Sequence, residues 1–410
     1  MKQFKFPYSR FLLPLMCVVF IIALTTMVLM QVPADSFMAA QSTQFLIMMG
    51  MIAVLVMILS IWSFLRDVNM LVFLCAMGLL LSIGSAYQFL FDHYTKYCLS
   101  VGLMVGAAFF TYHVWRRMNT LSDRMFWVCA GLVVALLVIN ALFGKLYYGA
   151  RMAVHLGSVT FHPSEYVKVL LILLGASSFR NPRRTWVFCS LCLITCAVQI
   201  LRIKDLGGML VVFSIFALMT YLLLDDRRLS VAIILFAVVG AIIAINVVDV
   251  ARIRVGNWFH AMNPGDATYQ QRSYITAILF GGFSGLGLDQ ASWMTSIFAA
   301  EHDGALAGIL AVYGFPLFCI TICAYAMLVA MPAYHRSIHP TSYLILAQTS
   351  LYVFMHVVLN LGSIDIVPFT GLCAPGGISE GMNACLAFGL LIGLCAAALH
   401  PKVPYYYSKE

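Results

Sequence analysis

Residues 43–65 read TQFLIMMGMIAVLVMILSIWSFL, twenty-three positions without a charged side chain. A helix rises 1.5 Å per residue, so about 20 apolar residues cross a bilayer core. The run is followed at once by Arg66 and Asp67, and a second apolar run begins near residue 70. The same pattern recurs along the chain. Apolar segments fall at about 11–30, 43–65, 70–91, 98–115, 125–143, 164–178, 185–201, 206–224, 229–248, 305–330, 342–360 and 382–400. The chain of 410 residues is 62% hydrophobic and 10% charged, with a mean hydropathy of +0.95. A soluble domain is closer to half apolar and a quarter charged. A soluble enzyme and a disordered chain are both excluded. The runs are continuous, unlike the alternating strands of an outer-membrane barrel. The sequence predicts an all-α polytopic membrane protein of about twelve transmembrane helices.

The net charge is +8. The cations sit at the ends of apolar runs, so they read as topology signals and not as a nucleic-acid surface. With the N-terminus inside, fifteen Lys and Arg fall on the inner side and eight on the outer, and Lys168 lies within a span. Both termini are then cytoplasmic. Three outer segments result: 144–163, 249–304 and 361–381. The middle one exceeds a simple connector. Its aromatic residues and glycines predict an ordered loop, and no lysine follows the glycines to make a phosphate loop. The cysteines lie mostly in apolar runs and read as small buried residues. Cys189, Cys192 and Cys196 have a metal-like spacing but no histidine nearby. No HExxH pair or Walker motif is present.

Two groups of residues stand out on the outer side. Asp303 lies where the long loop meets the tenth span, preceded by Glu301 and His302. A carboxylate there suits a helix start. It also suits a general base at the mouth of a membrane cavity, with its pKa raised by crowding or lowered by a charged His302. Glu165 and Lys168 are three apart at the start of the sixth span, on one helix face. Charges inside spans usually mark a functional path, and equally they tie helices together. Lys145, Arg151, Arg202, Lys204, Arg252, Arg254 and Arg272 are seven cations on the outer side, with Asp205 beside Lys204. Singly they read as solvated loop charge, and together they suit a diphosphate. His113 and His356 lie in spans and read as packing residues.

Four blocks of sequence, in order, resemble the SEDS family of RodA/FtsW/SpoVE-like membrane proteins. They are Gly149-Ala150-Arg151 through Phe161-His162-Pro163-Ser164-Glu165-Tyr166-Val167-Lys168; Lys204-Asp205-Leu206-Gly207-Gly208; Asn263-Pro264, Tyr269-Gln270, Gly281-Gly282 and Gly285-Leu286-Gly287 running into Asp303; and Pro368-Phe369-Thr370-Gly371 with Pro375 and Ile378-Ser379. The match covers about residues 145–400. The family usually has ten spans, so this chain looks like a member with two added N-terminal helices. It divides into N-terminal helices, 1–143, and a SEDS-like core, 144–410. His302 replaces the family's threonine before Asp303, Ala311 and Val312 replace an acidic pair, and the end motif reads Pro375-Gly376-Gly377-Ile378-Ser379-Glu380-Gly381.

The resemblance implies a peptidoglycan glycosyltransferase that polymerises lipid II into β-1,4 glycan strands on the outer face of the bacterial cytoplasmic membrane. It implies Asp303 as the catalytic residue, with His302, Glu301 and Ser379 supporting it. Arg151, Glu165, Lys168, Lys204, Asp205 and Arg254 are expected around the diphosphate and its cavity, with a divalent cation, Mg2+ or Mn2+, assisting. A class B penicillin-binding transpeptidase is the expected partner. Two other readings stay open: a flippase for a lipid-linked precursor, and a non-catalytic scaffold for the penicillin-binding protein.

Overall fold

The computed structural model describes residues 9–32, 36–64, 68–118, 120–147, 150–157, 159–224, 227–265, 268–290, 292–334 and 339–399. Gly149 and several inner-side cations of the topology argument (Lys2, Lys5, Arg66, Arg336, Lys402 and Lys409) lie outside them.

Every expected apolar segment is a helix. The first five are α1 (Ser9–Met30), α2 (Phe37–Phe64), α3 (Val68–Gln88), α4 (Tyr94–Met118) and α5 (Asp123–Phe143). Then come α6 (Pro163–Ala176), α7 (Pro182–Val198), α8 (Leu206–Leu224), α9 (Arg227–Val247), α10 (Asp249–Phe259), α11 (Tyr269–Gly281) and α12 (Ser292–Ser296). The last four are α13 (Ala305–Val329), α14 (Met331–Tyr334), α15 (Pro340–Asn360) and α16 (Met382–Leu399). Local chemistry sets several starts. Ser122 and Asn181 accept backbone N–H groups of the first turns of α5 and α7, and Pro163, Pro182 and Pro340 sit where their missing N–H costs nothing.

Among the described residues ten helices are long and apolar enough to cross a membrane, or eleven if α9 and α10, bent 93° to each other, form one span. The sequence count of about twelve included α6. Its 14 residues span only about 21 Å, short of a roughly 30 Å hydrocarbon core. α6 nevertheless starts beside the strands at the end of α5 and finishes near the beginning of α5, where Arg184 Nη1 donates to both the Ser177 and Leu121 carbonyls. It therefore crosses the bundle enclosed by its neighbours, and the chain is a multi-pass membrane protein.

The outer segments carry more structure than the sequence predicted. Residues 144–163 fold into three antiparallel strands, β1 (Lys145–Tyr147), β2 (Ala150–Leu156) and β3 (Val159–Phe161), an exception to the all-α expectation. Residues 249–304, expected to be an ordered loop, hold the helices α10, α11 and α12. The glycine block after α11 docks on a break in α13. Gly314 has φ 81° and Pro316 follows within the same helix, so the ladder opens there. The freed Ala311 and Val312 carbonyls accept the N–H groups of Leu286 and Gly287 at 2.8 and 3.0 Å. A Cβ on Gly285 would lie 2.3 Å from the Val312 oxygen, so only glycine permits this approach.

Buried tyrosines hold the remaining irregular backbone, which must find hydrogen-bond partners away from water. Tyr87 donates to the Ala300 carbonyl at 2.8 Å, Tyr97 to Gly377 at 2.7 Å, and Tyr325 to Pro375. Gln88 donates to both Glu301 and Ile378 carbonyls, at 2.8 and 2.7 Å. The end of α3 is thus a platform that ties the segment before α13 to the segment before α16. The helices before residue 144 pack on those after it, α4 along α16 and α3 on α13.

Candidate active site

The first layer is built on α6. Lys168 is fully buried, and its ammonium donates to Glu165 Oε1 at 2.7 Å and to His356 Nε2 of α15 at 3.3 Å. An ammonium only donates, so Nε2 accepts and the ring proton sits on Nδ1, which faces the Cys373 carbonyl at 3.3 Å. Tyr352 donates to Glu165 Oε2 at 3.4 Å, and its ring lies 5.6 Å from the Lys168 nitrogen. The pair is therefore enclosed by hydrogen bonds on all its charged atoms, as a buried ion pair requires. Since the Lys168 ammonium has no exposed surface, this conformation does not offer it to a diphosphate directly.

The second layer surrounds Asp303, two residues before α13. Its N–H bonds the Ala299 carbonyl at 3.0 Å, and its carbonyl accepts from Asn360 Nδ2, also at 3.0 Å. Asn360 also donates to Leu372 at 2.6 Å and accepts from the Leu306 N–H. One fully buried amide thus fixes the start of α13 against the segment after α15. The Asp303 side chain meets that segment too. The Cys373 thiol points at Oδ1 from 3.9 Å. Gly371, at φ 70°, lies under Oδ2, and a Cβ there would approach it to 3.2 Å.

Burial pushes the Asp303 carboxyl up to about 7. The Arg254 guanidinium opposes that rise, Glu301 adds to it, and the Cys373 thiol opposes it. A raised carboxyl is ionised only above its folded pKa. Any reaction that uses Asp303 as a base should therefore gain rate as pH rises from about 6 to 8 and then level off. A flat kcat/KM profile across that range would exclude the role.

Cys373 joins the two layers. Its carbonyl holds His356 and its thiol faces Asp303, so a continuous path runs Lys168, His356, Cys373, Asp303. Arg254 of α10 approaches from the other side. It is half-buried, donates to the Phe369 carbonyl at 3.2 Å and lies within reach of the charges of Asp205 and Asp303. Asp205 is buried, and its Oδ1 accepts the Gly208 N–H at 2.8 Å, the bond of an N-terminal helix cap for α8.

The other expected residues sit farther out. Arg151 is half-buried on β2, opposite Leu146. Lys204 is exposed in the left-handed turn between α7 and α8, at φ 66°. His302 is half-buried, with Nδ1 3.5 Å from Ser379 Oγ and Nε2 3.8 Å from Glu301 Oε1. Burial holds its pKa below the ordinary imidazole value, with Glu301 opposing, so at neutral pH it is not a cation that would lower Asp303. Residues 377–381, Gly-Ile-Ser-Glu-Gly, have the spacing of a hydrolase nucleophile elbow. They lie in an irregular turn with no strand before them, and the Ser379–His302 separation is long for a nucleophile and its base. Among the described residues no three His, Cys, Asp or Glu side chains are grouped to hold a metal ion, Cys189, Cys192 and Cys196 included.

The sequence left His356, Tyr352, Asn360 and Cys373 without roles. An intramembrane polar residue was the available signal for His356 and Asn360. Nothing local marks Cys373, whose importance comes from lying between two distant groups.

Comparison with known proteins places this architecture. Residues 80–402 match the model of the FtsW/RodA/SpoVE cell cycle proteins. The match begins at the α3 platform, well before residue 145. The probable peptidoglycan glycosyltransferase FtsW of Coxiella burnetii is 24% identical over 333 residues, which is 75% of this chain and 87% of that protein. The peptidoglycan glycosyltransferase RodA of Mycobacterium tuberculosis is 26% identical over 282 residues, 62% of this chain and 58% of that protein. Two solved structures share the fold. One is a chain of a peptidoglycan synthase complex that coordinates polymerization and crosslinking, with TM-score 0.63, 22% identity and coverage of 78% of this chain and 96% of that one. The other is the rod shape determining protein RodA of Thermus thermophilus, with TM-score 0.54, 20% identity and coverage of 79% and 94%. With a match to more than half of its length, the chain belongs to the FtsW/RodA/SpoVE family of cell cycle proteins.

Proposed function

We propose that this protein is a peptidoglycan glycosyltransferase, which polymerises lipid II into β-1,4 glycan strands on the outer face of a bacterial cytoplasmic membrane. The observation that carries the reading is Asp303: a half-buried carboxyl with its pKa near 7, bordered by Gly371 and linked through Cys373 to a buried cation. The names of the curated relatives support the same activity.

In this reading Asp303 takes the proton of an acceptor sugar hydroxyl as that oxygen attacks the donor's anomeric carbon. The new C–O bond forms as the bond from anomeric carbon to phosphate oxygen breaks, and undecaprenyl diphosphate leaves. Arg254, half-buried beside Asp303, is the cation best placed to meet the leaving diphosphate by charge-assisted hydrogen bonds. Arg151 and Lys204 serve at longer range. Glu165 and Lys168 hold the floor of the cavity through His356, and Asp205 positions the start of α8 beside it. Ser379 and Glu301 support His302, which tunes the site. Residues 144–410 carry this machinery, and α1 and α2 are additions to it.

A divalent cation, Mg2+ or Mn2+, would be held mainly by the substrate's phosphate oxygens with few protein carboxylates, because no three-ligand group is present among the described residues. No step is assigned to it. A class B penicillin-binding protein is the proposed partner, supported by the structural likeness to a chain of a peptidoglycan synthase complex. The test is polymerisation of labelled lipid II by the purified protein in detergent, with that partner present. Glycan polymer supports the reading, and its absence at every partner ratio overturns it. Detergent abolishes sidedness, so polymer formation also separates a polymerase from a flippase.

The proposed orientation places both termini inside and the strands, α10–α12 and residues 361–381 outside. Reporter fusions between α8 and α9 should therefore read as cytoplasmic, and fusions between α11 and α12 as external. The opposite pattern would reverse the orientation.

A further inference from the structure

At the end of the bundle away from Asp303, α2 packs on α3 while α4 packs on α16. The gap between these pairs is a groove of about 600 Å³, inside the range of roughly 300–1,000 Å³ common for ligand sites. Leu59 of α2, Leu74 of α3, Met104 of α4 and Ile392 of α16 represent its walls. It opens sideways, since Ile58 and Phe109 on its rim are exposed. On α4 the lining runs from Met104 to Arg116, about 18 Å of helix. One leaflet's share of the hydrocarbon core is roughly 15 Å, so the groove has the length of an acyl chain.

The lining turns polar only at one end, where Tyr112, His113 and Arg116 meet. Arg116 Nη1 donates to Tyr112 Oη at 3.1 Å, and the guanidinium lies 5.7 Å from that ring. Its Nε is buried and has no hydrogen-bond partner among the described residues. A buried donor without an acceptor is costly, and a guanidinium suits a phosphate because it presents several N–H groups at once. Apolar length ending in a cation with a buried, unpaired N–H is the complement of a phospholipid with an anionic head.

We propose that this groove is a binding site for an anionic phospholipid, its acyl chain along α2, α3, α4 and α16 and its phosphate on Arg116. The site lies in the leaflet opposite Asp303, the inner one in the orientation above. The α2 wall belongs to the added N-terminal helices, so the site is a feature of this chain's extension.

The test uses the full-length protein in detergent, titrated with palmitoyl-oleoyl phosphatidylglycerol or the matching phosphatidylcholine and read by native mass spectrometry. The phosphatidylglycerol should be retained in preference to the choline lipid. Arg116→Gln should lower its affinity about tenfold, the order expected for losing a hydrogen bond to a charged group. Val105→Trp, which fills the groove from α4, should lower retention of both lipids. Arg124→Gln, an exposed cation outside the groove, should change neither. Equal retention of the two lipids, or equal effects of Arg116→Gln and Arg124→Gln, would overturn the proposal. So would a Val105→Trp protein that keeps its phosphatidylglycerol but loses a co-purifying penicillin-binding protein, since the occupant would then be a partner helix. Lipid retention is read without lipid II, so it stands or falls apart from the polymerase reading.

Discussion

Asp303→Asn should lower glycan polymerisation by about 10²–10⁴-fold, the usual worth of general base catalysis, while leaving the protein folded and inserted. Asn matches Asp in size and cannot accept the acceptor's proton. The fold should persist because the bonds that fix this position use its main chain. The N–H reaches Ala299 and the carbonyl accepts from Asn360, neither of which the substitution touches. Burial already raises the carboxyl to about 7, so a neutral side chain there costs little. His302→Ala should do less, because that ring contacts Ser379 and Glu301 and not the carboxylate. Glu301→Gln should do less still. Its carboxylate helps raise Asp303 and faces His302 without contacting the reacting carboxyl, so its mark should be a downward shift of the pH profile at nearly unchanged maximal rate. Polymer length and rate from labelled lipid II at matched expression decide the matter. Near-normal polymer from Asp303→Asn would exclude the carboxylate as base, and a deeper defect in His302→Ala would move the base to the histidine.

The spans were legible because membrane burial is a local demand. Each helix must be apolar over its own length, and residues 43–65 announce this without reference to any other segment. The same logic is weakest at α6, whose short apolar run crosses the bundle enclosed by its neighbours and not by lipid. The strands in 144–163 were not legible. Three-residue strands such as Lys145–Tyr147 carry too little alternation to show a period, and their pairing is a matter of hydrogen bonds to other segments. The glycines of 281–287 were visible as an ordered element, but their purpose depends on the break at Gly314 in another helix. The site divides similarly. Glu165 and Lys168 could be paired from helical spacing alone. His356 could not join them, since it stands 188 residues from Lys168, and Cys373 became meaningful only where it touches both His356 and Asp303.

The second large effect concerns that pair. Removing one member of a buried ion pair leaves the other charged and desolvated, at a cost of about 3–5 kcal/mol. Glu165→Gln leaves the Lys168 ammonium with His356 and the face of Tyr352, neither of which neutralises it. Lys168→Met leaves the Glu165 carboxylate, among the described residues, with the Tyr352 hydroxyl at 3.4 Å as its hydrogen-bond partner. Each single change should therefore lower the fraction of protein that survives detergent extraction and heating, and each should depress polymerisation. Together they remove both charges at once, leaving a glutamine amide and a thioether. The double variant should recover much of the lost stability, so the coupling energy should be well above the few tenths expected of independent sites. Activity should follow a different course. Lys168 also holds His356, and His356 holds the Cys373 carbonyl beside Asp303. The double variant should then be stable yet still impaired, and its pH profile should be broadened or shifted because Cys373 no longer sits as it did. Thermal stability and polymerisation of the two single variants and the double, measured side by side, separate these outcomes. Strict additivity in stability would mean that Glu165 and Lys168 do not act as a pair. Full recovery of activity with stability would mean that the pair supports the fold alone and that the path from Lys168 to Asp303 carries no catalytic influence.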